Sequence, residues 1–184
     1  ISVYDGLKYF DEEPTKKLDT AMITFNYILF LFKEIKEKIQ PDFIVIDGSE
    51  IFTQIAELCM RKKNNLGLYA GLANQNLCKE RKDFLVKLHR TAIKSAKKGV
   101  IYTTYTETEE IVDEGTVIAR SKVPKWTGII LYEADIVAYT YSKFEKEKGK
   151  RFFLKIANSK LDSVIKTGFH EDITGKRISD ITRR

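Results

Sequence analysis

The sequence predicts an α/β fold: a mostly parallel sheet flanked by helices, with an antiparallel hairpin at its C-terminal edge. Three observations lead there. Phe43-Ile44-Val45-Ile46 and Val100-Ile101-Tyr102-Thr103-Thr104-Tyr105 are unbroken β-favouring runs, the pattern of strands buried on both faces. Helical periodicities precede and separate them, and strands alternating with helices pair in parallel through crossovers. Ala134–Ser142 and Arg151–Ala157 are strand-like runs flanking the charged turn 143–150, the pattern of a hairpin.

Pro14-Thr15 opens the first helix, whose Leu18, Met22, Phe25, Leu29, Phe32 and Ile39 recur at helical spacing on one face. It should end near Gln40, because the residue before Pro41 is pushed out of the helical region. The first strand stops at Asp47-Gly48-Ser49. Ile51–Lys63 reads as a helix with Phe52, Ile55, Ala56, Leu58 and Cys59 as its apolar face. Residues 64–76 read as a loop. Lys79–Lys98 is an amphipathic helix with Phe84, Leu85, Leu88, Ala92, Ile93 and Ala96 facing inward and Gly99 as its C-cap. Past Thr106, Glu110–Ala119 suggests a short hairpin about Asp113-Glu114-Gly115. Asp162–Arg184 is a polar, weakly structured extension.

Composition sets the outer limits. With 184 residues, 43% of them hydrophobic, the chain is about one domain and can bury a core. Thirty-two Lys and Arg against 26 Asp and Glu give +6, a charge that permits an anionic partner without requiring one. The longest apolar patch, 27–32, is far shorter than the ~18 residues of a membrane span, and the polar start is no signal peptide. Cys59 and Cys78 lack any C-x-x-C spacing and read as buried free thiols of a reducing cytoplasm. With two scattered histidines they make no zinc set, which takes about four ligands.

The stretch that points to chemistry is Phe43-Ile44-Val45-Ile46-Asp47, a hydrophobic strand ending in an acid. Such a strand opens at the ligand crevice of an α/β sheet, where an aspartate can hold Mg²⁺ beside nucleotide phosphates. The alternative is that Asp47 caps the following helix. Thr103-Thr104 ends the next strand, where a hydroxyl can meet a γ-phosphate or an attacking water; the alternative is the ordinary β-propensity of Thr. Glu50 can orient water or serve only as an acid at a helix N-terminus. Glu107 and Glu109 are weaker base candidates.

With Glu133-Ala134-Asp135-Ile136-Val137 and Phe152–Lys160 in order behind these, residues 3–160 resemble the core of RecA-like P-loop ATPases. They look closest to the AAA-type ATPase domains of phage and archaeal viral or mobile-element proteins. The resemblance implies a three-layer RecA-like fold over residues 1–161, ATP and Mg²⁺ as ligands, and ATP hydrolysis serving a DNA-related process. It further implies that Asp47 holds the metal, Thr103 or Thr104 senses the γ-phosphate, Glu50 orients water, and Lys160 acts on phosphate across a subunit interface of a homo-oligomer. The chain departs from the family in containing no G-x-x-x-x-G-K-[ST] loop. The family carries that loop upstream of the helix that follows Thr15, which implies a strand, P-loop and helix before Ile1.

A second reading is a non-catalytic relative acting in assembly or nucleic-acid binding. Lys79, Arg81, Lys82, Lys87, Arg90, Lys94, Lys97 and Lys98 cluster on one helix, as either a phosphate-tracking stripe or a solvated face, with no aromatics interleaved. A restriction-type nuclease would use Pro41-Asp42 with Glu80-Arg81-Lys82, but that glutamate opens a helix where a strand is required. His89 lies beside a helix's apolar face and reads as packed, His170 lies in the polar tail, and Trp126 reads as a packing anchor.

Overall fold

A computed structural model describes residues 1–72, 74–113, 116–124, 128–161 and 163–176. The chain forms two compact units, Ile1–Thr127 and Gly128–Arg184, a boundary that the expected core of 1–161 spans.

In the first unit, α1 (Lys17–Glu34) runs into a π-helical turn at Ile35–Ile39 and stops at Gln40, which takes the left-handed conformation at φ 50° ahead of Pro41. Its buried seam is Ala21, Thr24, Phe25, Ile28 and Phe32. The seam is rotated from the expected one because two helices pack against α1 at once, and Ile39 is left exposed. In α2 (Glu50–Lys63) the expected Phe52, Ile55, Ala56, Leu58 and Cys59 are all buried. Helix α3 (Gln75–Ser95) starts earlier than Lys79 because Asn74 caps it, accepting the Asn76 N–H at 2.8 Å. It also ends earlier, with Ala96 already extended. Gly99 is therefore no C-cap; it opens β2. Ile93, expected inside, is 43% exposed, while His89 and Ser95 are buried instead. Edge-to-face pairs Phe25–Phe84 at 5.1 Å and Phe32–Phe52 at 6.5 Å knit the helices together.

Strands β1 (Phe43–Ile46) and β2 (Gly99–Tyr102) pair in parallel, Phe43 with Gly99 through Ile46 with Tyr102. They form a sheet of two strands. β3 (Thr106–Asp113) and β4 (Thr116–Pro124) form a separate antiparallel ribbon, longer than the hairpin expected at 110–119, whose turn residues 114–115 lie outside the described residues. In the second unit, α4 (Gly128–Glu133), which the sequence did not signal, precedes the antiparallel sheet β5 (Ile136–Glu145), β6 (Gly149–Ser159) and β7 (His170–Asp172). Strand β7 falls in the segment expected to be weakly structured.

The three-layer RecA-like core with its mostly parallel sheet is thus overturned: the described residues form one parallel pair and two antiparallel sheets, too few parallel strands for such a core. Chain length between strands is the physical reason. A parallel return needs a crossover of a dozen or more residues, and of the consecutive strands only β1 and β2 are joined by helices spanning such a length. Only two residues separate β3 from β4 and three separate β5 from β6, so these pairs can only return antiparallel. Nor is the parallel pair buried on both faces. Ile44 is buried, but Phe43, Val45 and Ile101 are 54%, 63% and 50% exposed. The C-terminal hairpin exists, in a sheet of its own.

Candidate functional site

The α2–α3 crossover brings the carboxyl ends of β1 and β2 side by side. Leaving β1, the chain turns at Gly48, whose φ of +68° is a conformation that costs a side-chain-bearing residue about 1–2 kcal/mol. The turn is stitched to β2. The Ser49 N–H and Ser49 Oγ each donate to the Thr103 carbonyl at 2.9 Å, and Ser49 is fully buried. The Thr103 N–H donates to the Ile46 carbonyl at 3.0 Å, and the Gly48 N–H donates to Thr103 Oγ1 at 3.2 Å. Thr103 Oγ1 in turn donates to Asp47 Oδ1. Next to this pair, Thr104 Oγ1 donates to Glu50 Oε2 at 3.1 Å.

Asp47, Glu50, Thr103 and Thr104 therefore meet at one strand edge, although more than fifty residues separate the two pairs in sequence. Asp47 is exposed, and its Oδ2 accepts no hydrogen bond from the described residues. It does not cap α2: Ser49 holds the N-cap position, which carries no side-chain cap bond. Glu50 is half-buried in the first turn of α2, where the helix dipole favours an acid and where Thr104 fixes its rotamer.

A cavity of about 740 Å³ opens beside Glu50, lined by Lys17, Thr53, Gln54, Glu57, Arg61, Leu68, Tyr69 and Glu107 among others. Arg61 is nearly buried and holds the 64–72 loop in place. It donates to the Gly67 and Ala70 carbonyls at 3.1 and 2.7 Å and pairs with Glu57 at 2.9 Å. Lys17, Arg61 and Tyr69 carried no signal in the sequence, because only the packing of α1 and this loop against α2 brings them together. Glu107 lies on this wall; the side chain of Glu109 lies outside the described residues, as does Trp126.

Lys160 belongs to the second unit. Its amine donates to the Tyr132 carbonyl at 2.6 Å and its N–H to the Asp135 carbonyl at 2.8 Å. Of the eight cations expected on one helix, all but Arg81 are exposed, and Lys97 and Lys98 lie past the end of α3; Arg81 lies 3.3 Å from Glu57, and Lys98 pairs with Asp42 at 2.8 Å. That pairing lowers the Asp42 pKa, and hydrogen bonds from Lys63 and Asn64 lower that of Glu80, so both nuclease candidates are engaged as structural ion pairs. His89 is buried with Nδ1 2.7 Å from the Tyr102 hydroxyl. Cys59 is buried and its thiol is pushed up to about 12 by that burial. Cys78, expected to be buried, is exposed, because it lies on the solvent side of the first turns of α3.

Among the described residues no three His, Cys, Asp or Glu side chains converge on one metal position, and no helix is long and apolar enough to cross a membrane. No protein family, curated protein or solved structure matches the chain.

Proposed function

We propose that the β1–β2 edge binds Mg²⁺ together with the phosphates of a nucleoside triphosphate, ATP being the expected one, and hydrolyses it. The observation that carries this reading is the convergence of an exposed, half-free aspartate and a hydroxyl at the carboxyl ends of two adjacent parallel strands, the place where open α/β sheets bind ligands. The reading keeps the likeness to AAA-type ATPases at this strand edge and not in the architecture. The donor set fits. Mg²⁺ retains several waters and takes one or two carboxylates plus substrate phosphates, so a single Asp47 suffices for an ion that arrives on its nucleotide.

When bound, the ion would neutralise phosphate charge and align the reacting group. Asp47 offers Oδ2 while the Thr103 hydroxyl, itself held by the Gly48 N–H, fixes the orientation of its carboxylate. Thr103 is thus a positioning residue. Glu50 accepts from Thr104 through Oε2, leaving Oε1 to orient a water. Lys17, on the cavity wall beside Glu50, supplies a cation that attracts phosphate. Lys160, acting from a neighbouring copy, and a cytoplasmic, DNA-related setting belong to the same reading. DNA contact through α3 is favoured by the exposure of Lys79, Lys82, Lys87, Arg90 and Lys94 along its length, with Lys97 just past its end.

Thermal melting with and without Mg-ATP tests the site. At a ligand concentration about 100 times Kd the stabilisation is ~2.7 kcal/mol, a rise of roughly 5–10 °C. Asp47→Asn should abolish the rise and Thr103→Val should weaken binding about 10- to 100-fold. An unchanged melting rise in Asp47→Asn would sink the proposal.

A further inference from the structure

The β5–β6–β7 sheet carries an arrangement that the nucleotide site does not use. Cross-strand partners share a face. Tyr141 pairs with Phe153, Lys143 with Arg151 and Tyr139 with Lys155; Lys155 pairs in turn with His170. One face therefore interleaves rings and cations. Tyr141, Phe153 and His170 lie nearly parallel, with centroids 5.3 Å apart for Tyr141–Phe153, 5.8 Å for Tyr141–His170 and 5.4 Å for Phe153–His170. Tyr141 and Phe153 are half-buried and His170 is exposed. The Tyr141 hydroxyl lies 2.6 Å from His170 Nε2, so these two rings meet edge to edge, which fixes the His170 ring in the cluster.

The charges beside this cluster are arranged unequally. Arg151 sits 5.9 Å from the Phe153 ring centre and is occupied by Asp172 and, at 3.5 Å, by Glu145. Lys143 and Lys155 are exposed, and neither makes an ion pair among the described residues. Lys143 and Lys155, neither of them in an ion pair, thus share one sheet face with a three-ring aromatic cluster in which His170 is exposed. Exposed ring surface interleaved with cations matches the bases and phosphates of an unpaired strand.

We propose that this sheet face is a stacking surface for single-stranded nucleic acid. A base stacks on the exposed His170 ring, Lys155 beside it contacts a flanking phosphate, and Lys143, two same-face pairs along the sheet, contacts a phosphate further along the strand. Single strands fit because their bases are free to leave the strand's own stack, whereas a duplex keeps its base faces covered. An exposed base face with flanking phosphates is common to single-stranded DNA and RNA, and the oligothymidylate and oligouridylate arms of the test distinguish the two. The surface lies in the second unit and uses none of the residues of the nucleotide site.

The test is fluorescence anisotropy of the full chain with a labelled oligothymidylate of about 12 nucleotides, within the usual range of site sizes. His170→Ala and Phe153→Leu should each weaken binding by about 5- to 100-fold, the range of one lost base stack. Phe153→Leu keeps the apolar volume under the sheet, and His170→Ala changes an exposed side chain, so at least one variant stays folded by circular dichroism. Lys143→Gln with Lys155→Gln should reduce the slope of log affinity against log salt by about 1.4, at ~0.7 per phosphate contact on a single strand. Three results would each overturn the proposal. One is unchanged affinity in His170→Ala and Phe153→Leu. Another is loss of binding only in Lys82→Gln with Lys94→Gln on α3. The third is duplex DNA binding more tightly than both oligothymidylate and oligouridylate, whose relative affinities tell DNA from RNA.

Discussion

The parallel pair β1–β2 and the antiparallel sheet β5–β6–β7 present their polar groups in opposite ways. A helical crossover returns the chain in parallel, so strand ends coincide and Asp47 and Thr103 meet at a point. A tight turn returns it antiparallel, so paired side chains such as Tyr141 and Phe153 spread over a surface. The first geometry suits a compact ligand held by a few directed groups. The second suits an extended one held by stacking and charge. The support behind each differs as well. Three helices seal the first unit, where Ala21, Ile55, Ala56, Cys59, Met60, Leu88 and Ala92 are fully buried. In the second unit the buried apolar side chains among the described residues are Ile130 and Ile156.

The largest expected effect follows from that contrast. Ile55→Ala removes apolar volume from the sealed core and should cost about 2–5 kcal/mol, read as a lower urea midpoint by far-UV circular dichroism. Phe144→Ala, at a ring that is 78% exposed in β5, should stay within ~0.5 kcal/mol. If the two variants lost similar stability, the second unit would be as tightly supported as the first and the contrast would fail.

The strand tip was more legible in the sequence than the architecture around it. The run Phe43–Ile46 followed by Asp47 and Gly48 is local information, and so is the amphipathic spacing of α2, whose expected face is buried as read. The direction of strand pairing is not local. Unbroken apolar runs suggested strands covered on both faces, yet Phe43, Val45 and Ile101 are exposed, because the pattern records hydrophobicity and not what arrives to cover it. The aromatic cluster was missed for a related reason. His170 lay in a stretch read as a polar tail, and only the pairing of β7 with β6 brings its ring to Phe153. The cavity wall of Lys17, Arg61 and Tyr69 has no sequence period at all, being an accident of tertiary packing.

Two glycines allow a sharper comparison with smaller effects. Gly48 and Gly149 both have positive φ, +68° and +72°, one in the turn after β1 and one at the start of β6. A Cβ on Gly48 would approach Glu50 Oε1 no closer than 3.9 Å, and one on Gly149 meets nothing within 4 Å. Neither substitution by Ala is a steric clash, so each should cost only the left-handed backbone penalty of about 1–2 kcal/mol. What separates them is function. Gly48→Ala shifts the N–H that holds the Thr103 hydroxyl and should reduce the Mg-ATP melting rise, whereas Gly149→Ala should leave it intact. A rise unaffected in both variants would mean that the turn does not set the orientation of Asp47.

The smallest effect concerns the thiols, and it isolates the first unit because both cysteines lie there. Cys78 is exposed and should react with a thiol reagent at neutral pH, while Cys59 should stay inert until the chain unfolds. Burial raises the folded-state pKa of Cys59 from 9.0 to about 12, so the folded protein keeps that proton where the unfolded chain releases it. Stability falls with pH wherever the unfolded state binds fewer protons. The contribution of Cys59 is therefore complete below pH 9 and is lost between 9 and about 12. Cys59→Ala has no such proton to lose. The stability difference between the parent chain and this variant should be flat up to pH 9 and should shift toward the variant above it, as read from urea midpoints. A difference that stays flat through pH 11 would mean that water reaches the thiol in the folded state, and that the core between α1 and α2 is no better sealed than the second unit's.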